Sequence, residues 1–381
     1  MNHSSFVIWK TSQPGEIAGR VAVAGDFLPA GALSLPVSGW REAAGGLESI
    51  FGDVDISLAN LECPLDTEGL ASRPLGGIGQ IVSASSSSLD YLEAVHSLAV
   101  GIANNHSYDF GPAGVERTRT ALAARNFIPL GAGRILREDP EVLVWQGPAA
   151  VRVGFWAAAR ASRELATRRT AGVEPATAAR ARLASAALKS QGATYSVALV
   201  HCGCLRTNRP DPSDAALVDA IASSGFDLVA ASHSHRISGS RRIPTGGSAP
   251  AFCFYGLGSI VSGYIASDFE REGLVVVAGF RADGALASIE VRPLWLTHSG
   301  FAGDSPAKAS AIFNRFLDLT LEISDGSSAR RFYEDVSPSV VPLYARDIRA
   351  AFRQAGVIGL ARKAGRIRVR HLRRLIHGII P

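Results

Sequence analysis

Five short apolar runs in this chain each end on residues that can bind a metal ion, and that pattern restricts the fold more than any other feature. Val21-Ala22-Val23-Ala24 leads into Gly25-Asp26, and Asp55–Ala59 leads into Asn60-Leu61-Glu62. Ser97–Ala103 leads into Asn104-Asn105-His106, Ser196–Val200 into His201, and Asp227–Ala231 into Ser232-His233-Ser234-His235. Runs of this length and β-branched content predict buried strands. Helices are predicted between them over Pro112–Arg125, Glu174–Ser190 and Asp214–Ser224, with Gly111-Pro112 and Ser213-Asp214 as start signals. Strands alternating with helices define an α/β chain, in which loops at the carboxyl ends of the strands converge over one edge of the sheet. Ala251–Tyr255, Gly273–Phe280 and Ala287–Val291 have no helices between them and predict antiparallel strands, with Asp283-Gly284 as a turn. The layout is that of a mixed sheet, or of two sheets packed face to face.

The residues at the strand ends include two carboxylates, an amide and several imidazoles. Such a mixed oxygen and nitrogen donor set suits Zn²⁺, Mn²⁺ or Fe and suits Ca²⁺ poorly. Each residue alone has a plainer reading. Asp26 would be a turn or cap, Glu62 a surface ion pair, His201 a core histidine and His233/His235 a polar turn. Asp109 would cap the helix near Pro112, and His106 would be a hydrogen-bonded loop histidine. Their common position at strand ends favours the metal reading. Cys202 and Cys204 flank Gly203 just after His201, but without a second Cys-x-Cys pair they read as small buried residues.

In order and spacing the chain resembles the bacterial capsule-synthesis CapA family. The residues that carry the likeness are Gly25-Asp26, Asn60-Leu61-Glu62, Ala103–Gly111 (Ala-Asn-Asn-His-x-x-Asp-x-Gly), His201-x-Gly203, His233-x-His235 and Tyr255-x-Leu257-Gly258. The family is associated with poly-γ-glutamate and belongs to the calcineurin-like metallophosphoesterase superfamily. The resemblance therefore implies a four-layer αββα sandwich carrying two divalent ions (Mn, Fe or Zn). It implies that Asp26 and His235 hold one ion, that Asn105, His201 and His233 hold the other, and that Glu62 bridges them. His106 would act as the acid towards the leaving group, with Asp109 orienting it, while Asn104, Ser232 and Ser259 would touch substrate. The implied activity is hydrolysis of a phosphoester or an amide bond by a metal-activated water, on an anionic or phosphorylated small molecule or polymer. The alternative is a metal-stabilised scaffold that binds an anionic polymer or a synthase. Leu205 replaces an acidic residue of the family pattern, and Leu257-Gly258-Ser259-Ile260 replaces its Leu-Gly-Asn-Phe.

Charge divides the chain. Its formal net charge is +5, yet residues 344–381 carry ten Arg/Lys against the single acid Asp347, which leaves the first 343 residues at −4. The expected organisation is a metallophosphatase-like domain over 20–300, a helix and linker over 301–343, and a basic amphipathic helical tail over 344–381. The tail has three readings: contact with an anionic membrane surface, with nucleic acid phosphates, or docking on the acidic body of the same chain or on a partner. Nucleic acid is disfavoured, because no aromatic residue interleaves the arginines after Phe352. Four cysteines are too few for a disulfide scaffold. No apolar run reaches the roughly 18 residues that span a bilayer, and the first residues lack the pattern of a secretory signal. The expected location is cytoplasmic, peripheral to the inner membrane if the tail binds lipid.

Overall fold

The computed structural model describes residues 5–13, 15–31, 39–72, 81–160, 164–246, 249–303 and 306–336, with scattered positions between 345 and 357. The first part of the chain holds strands β1 (Phe6–Lys10), β2 (Gly19–Leu28), β3 (Ile56–Leu61), β4 (Ser97–Gly101), β5 (Ile128–Leu130) and β6 (Ala132–Arg134). Helices α1 (Gly39–Ala43), α2 (Glu48–Phe51), α3 (Leu89–Ala94) and α4 (Gly111–Ala123) fall between them. Next come β7 (Leu143–Gln146), β8 (Arg152–Ala159), β9 (Gly172–Val173), α5 (Ala178–Ser190), β10 (Tyr195–His201), α6 (Pro212–Ala222) and β11 (Leu228–Ser232). The rest comprises β12 (Ser240–Ile243), β13 (Ala251–Phe254), β14 (Ser259–Ser262), β15 (Glu272–Phe280), β16 (Leu286–Leu296), β17 (Ala302–Gly303) and α7 (Pro306–Ser324).

The strands form two large sheets. One has the order β1-β16-β15-β2-β3-β4-β5, with β14 also pairing β2 and β17 pairing β16; the other runs β12-β13-β11-β10-β8-β7. Alternation along the central strands of the second sheet explains the layering. Phe155, Ala157, Val197, Leu199, Leu228 and Ala230 point into a core shared with the first sheet. Their neighbours Trp156, Ala158, Ala198, Val200, Val229 and Ala231 face the other way and pack with Ala181, Ala184 and Leu188 of α5 and Val218 and Ile221 of α6. The period-2 geometry of a strand thus gives one face to the partner sheet and one to helices. A Cβ on Gly101 of the first sheet would lie 3.1 Å from Leu199 Cδ2 of the second, so the two sheets are in direct contact. Helices α3 and α4 contact β4 and β5, and the Tyr91 ring of α3 stacks on Phe27 of β2 at 5.5 Å. The result is the αββα sandwich expected.

Strands β2, β3, β4 and β5 are mutually parallel, as are β8, β10, β11 and β13. Each sheet therefore gathers several carboxyl ends on one edge. Three expectations need correction. Ala251–Phe254 is antiparallel only to β12 and runs parallel to β11, because the unforeseen strand β12 forms a hairpin with it at the sheet's outer edge. The second predicted helix begins at Ala178 rather than Glu174, where the Thr177 hydroxyl caps it by accepting the Arg180 N–H at 3.2 Å. Strand β2 continues through Asp26 to Leu28, with an irregularity in its pairing to β3 between Val23 and Asp26.

Helix α7 lies against the sandwich edge, with Phe316 stacked on Phe254 and Phe313 on Phe6. A further helix covers 327–336. Its Phe332 and Val336 pack with Cys204, and its Asp335 Oδ2 accepts the Asn208 and Arg209 N–H groups, both at 3.1 Å. Val336, within the region expected to hold a helix and linker, is helical, while 337–344 and nearly all of the basic tail lie outside the described residues. No helix among the described residues is long and apolar enough to cross a membrane.

Candidate metal centre

The carboxyl edges of the two sheets meet over one group of buried polar side chains. Strand pairing sets Asp26 beside Asn60 and beside Ser259, and it sets His201 beside Ser232. The approach of β14 to β2 depends on glycine. The Asp26 N–H donates to Gly258 O at 3.0 Å, and a Cβ on Gly25 would lie only 2.0 Å from that oxygen. Gly258 itself has φ +68°, a region open to glycine at little cost.

Two sets of donor atoms result, each within 4.8 Å of one another: Glu62, His201 and His233, and Asp26, Glu62 and His235. Glu62 belongs to both. His201 Nε2 lies 3.3 Å from Glu62 Oε1 and 2.6 Å from Asn105 Oδ1. His235 Nδ1 lies 3.1 Å from Asp26 Oδ2 and 3.7 Å from Glu62 Oε2. His233 Nδ1 is 3.9 Å from Glu62 Oε1. His233 and His235 both have positive φ, 107° and 56°. Non-glycine residues there cost on the order of 1–3 kcal/mol each and persist only where the surroundings impose them. Asp26 Oδ2 helps impose the first, accepting the His233 N–H at 3.1 Å.

The electrostatics are those of a site built around a cation. Asp26 and Glu62 are fully buried. Among the described residues their ion-pair partners are all histidines, with no arginine or lysine. Among the described residues neither Glu62 oxygen receives a well-formed hydrogen bond, the nearest imidazole nitrogen lying at 3.3 Å, and His233 Nδ1 has no hydrogen-bond partner. Buried polar atoms normally have partners, so three orphans in one cluster point to a shared one from outside the chain. Burial would raise the Glu62 pKa, but the His235 and His201 imidazoles outweigh it and hold the carboxyl well below its usual range. Burial pushes His233 down to about 4. His235 is also penalised by burial, yet Glu62 and Asp26 draw it up to about 9. The upward pull on His235 records the negative charge that Glu62 and Asp26 concentrate here, which a divalent cation would neutralise. The donor set and its orphaned atoms fit such ions.

His106 stands beside this cluster. Its Nδ1 lies 2.8 Å from Asp109 Oδ2, which also accepts the Val82 N–H at 3.1 Å. Burial lowers the His106 pKa, but the Asp109 hydrogen bond and charge more than offset it, and the net shift is upward. The three residues expected to touch substrate are all buried. Asn104, 1% exposed, donates to Leu61 O at 2.7 Å and accepts the His106 N–H. Ser232 Oγ lies 3.2 Å from His201 Nδ1, and Ser259 Oγ lies 3.4 Å from His235 Nδ1. Asn104 thus braces the loop that carries His106, while Ser232 and Ser259, at strand pairs, lie beside the imidazoles. Leu205, by contrast, is exposed, and Cys202 and Cys204 are buried apolar-type residues. Asn60 was missed as a site residue. It is buried, donates to Asp26 Oδ1 at 2.7 Å and lies 3.2 Å from His201 Nδ1. Its place in the Asn-Leu-Glu motif, two positions before Glu62, was plain in the sequence, but its contacts were not.

Two parallel-stranded sheet edges that converge on shared carboxylates and imidazoles define an αββα sandwich protein with a candidate dinuclear metal centre. The family model described as bacterial capsule synthesis protein PGA_cap matches residues 20–264, and the chain belongs to that family. No curated protein matches it. Among solved structures it is similar to the NAD nucleotidase NadN of Haemophilus influenzae, at 11% identity and TM-score 0.42, covering 82% of this chain and 60% of that one. It is also similar to a 5′-nucleotidase precursor from Thermus thermophilus, at 15% identity and TM-score 0.44, over 81% and 59%. A third is the purple acid phosphatase PPD1 from yellow lupin seeds, at 10% identity and TM-score 0.34, over 74% and 55%. The chain spans about three fifths of the length of the two nucleotidases.

Proposed function

We propose that this protein is a dinuclear metal-dependent hydrolase of anionic substrates. The observation that carries the reading is Glu62, a buried carboxylate shared by two donor groups, with both oxygens lacking a hydrogen bond and no arginine or lysine paired with it among the described residues. Asp26, Glu62 and His235 would hold one divalent ion, and Glu62, Asn105, His201 and His233 the other. Such ions supply an acidified water as nucleophile and neutralise charge growing on the scissile group. No side chain is then needed as a covalent nucleophile. His106, held at Nδ1 by Asp109, leaves Nε2 to give a proton to the departing oxygen or nitrogen. The substrate bond is a phosphoester or an amide, and membership of the capsule synthesis family favours an anionic polymer setting, such as poly-γ-glutamate. The basic segment 344–381 would bring the body to an anionic membrane or a partner, and the setting is the cytoplasmic face.

The test is turnover by untagged protein supplied with Mn²⁺ or Zn²⁺, against phosphoester and γ-glutamyl substrates, native and His106→Ala. The reading expects hydrolysis in the native protein and its loss in a variant that keeps its metals. Stoichiometric metal with no turnover on either class would make the chain a metal-stabilised scaffold instead.

A further inference from the structure

We propose that Asn60 is the positioning residue of the metal centre, deciding which oxygen of Asp26 faces a cation and tying the His106 loop to that same carboxylate. This rests on the dinuclear reading above. Asp26 has two oxygens with different surroundings. Oδ1 accepts from Asn60 Nδ2 at 2.7 Å, while Oδ2 accepts the His233 N–H and faces His235 Nδ1, both at 3.1 Å. The Asn60 amide therefore occupies one oxygen and leaves the other on the side of Glu62 and His235. On its own far side, Asn60 Oδ1 accepts from Asn104 Nδ2 at 3.2 Å, and Asn104 Oδ1 accepts the His106 N–H at 3.1 Å. A continuous line of hydrogen bonds thus runs from Asp26 through Asn60 and Asn104 to the residue that carries the proposed acid. The 3.2 Å approach of Asn60 Nδ2 to His201 Nδ1 adds the second sheet to the same point.

The chemistry requires an amide. A carboxylate at this position could accept from Asn104 but could not donate to Asp26, and it would add a buried negative charge. A leucine would fill the space and leave Asp26 Oδ1 and one Asn104 N–H without their partners. Only a side chain that donates at one end and accepts at the other satisfies both neighbours. Both ends of the Asn60 amide are engaged, Nδ2 by Asp26 and Oδ1 by Asn104. It acts through Asp26 and the loop, and groups in that position typically change metal affinity or activity about 10–100-fold.

The experiment is calorimetric titration of chelator-stripped full-length protein with Mn²⁺ alone, comparing the native chain with Asn60→Ala and Asn60→Asp. Co²⁺ absorption spectra would report ligand geometry without reference to turnover. The native chain is expected to bind two ions. In both variants one binding step should weaken about 10-fold or more, the other should change less, and the Co²⁺ spectrum should alter. Unchanged affinities and spectrum in either folded variant would overturn the proposal while leaving the dinuclear reading intact. If Asn60→Ala fails to fold, by circular dichroism, Asn60→Asp keeps the side-chain volume and decides the question. A native chain that binds no Mn²⁺, Zn²⁺ or Co²⁺ would remove the dinuclear reading itself and this proposal with it.

Discussion

Two clusters of charge in this molecule, one half-buried and one fully buried, solve the same problem in opposite ways. Beside β5 and β6, Glu141 receives Arg119 at 2.8 Å and Arg134 at 2.9 Å on one oxygen, while the other accepts the Gly131 N–H at 3.1 Å. Nearby, Arg180 grips both oxygens of Glu174 at 2.6 and 3.2 Å. Both carboxylates there are paired within the chain. At the sheet edges, Asp26 and Glu62 are more deeply buried, and among the described residues their side-chain partners are imidazoles and an amide. A carboxylate removed from water needs a counter-charge. Where the fold supplies arginine the cluster is complete, and where it supplies imidazoles and an amide around shared oxygens it is suited to an external cation. Glu141 and Glu174 are only partly withdrawn from water and are completed by arginine, whereas Asp26 and Glu62 are fully buried without it.

The comparison can be broken most severely at Glu62. Glu62→Gln should abolish binding of both ions and all turnover, read by metal mass spectrometry and a hydrolysis assay; retention of the native metal content would remove Glu62 from the centre. Next in size, His106→Ala should lower turnover by roughly 10²–10⁴ with metal content unchanged. An equal loss of metal would make His106 a structural or ligating residue instead. Stability sharpens the contrast further. Metal supplied at about 100 times its Kd should raise the unfolding free energy by about 2.7 kcal/mol, seen as a higher Tm that chelator reverses and Glu62→Gln eliminates. Glu141→Gln should cost about 1–3 kcal/mol in stripped and loaded protein alike, with native metal content. A metal-dependent effect of Glu141→Gln would mean that the two clusters are not independent. The smallest effect is expected from Cys202→Ala. Its buried thiol packs with the α5 and α6 side, so stability should fall by about 1 kcal/mol and metal content should stay.

Much of the architecture was legible because parallel buried strands leave near-continuous apolar runs that stop abruptly at polar residues. Val197–Val200 and Leu228–Ala231 show this, and the residues after them, His201 and Ser232–His235, are the ones the fold brings together. Less could be read where the signal is short or comes from packing. Strand β12, Ser-Arg-Arg-Ile, has no apolar alternation and exists because it pairs with β13 at a sheet edge, which is why the direction of β13 was misjudged. Strand β8 was overlooked although Val153–Ala159 is fully buried and contributes to both cores. In the site, residue type and spacing pointed to the donors but could not separate donors from their braces. Asn104, Ser232 and Ser259 were expected at the substrate, and the structure shows Asn104 bonded within the His106 loop and the two serines beside His201 and His235. Asn60 was hidden for the same reason. An amide has no charge or metal preference to announce it, and its role becomes visible only when Asp26, Asn104 and His201 surround it.

The central claim is that the Asp26–Glu62 edge is completed by two ions from outside the chain. Its most direct measurement is metal content by mass spectrometry on untagged protein, native and His233→Ala/His235→Ala, after equilibration with Mn²⁺ or Zn²⁺. The account predicts about two ions per native chain and their near-complete loss in the double variant. No stoichiometric metal in the native protein, or undiminished metal in the variant, would contradict it.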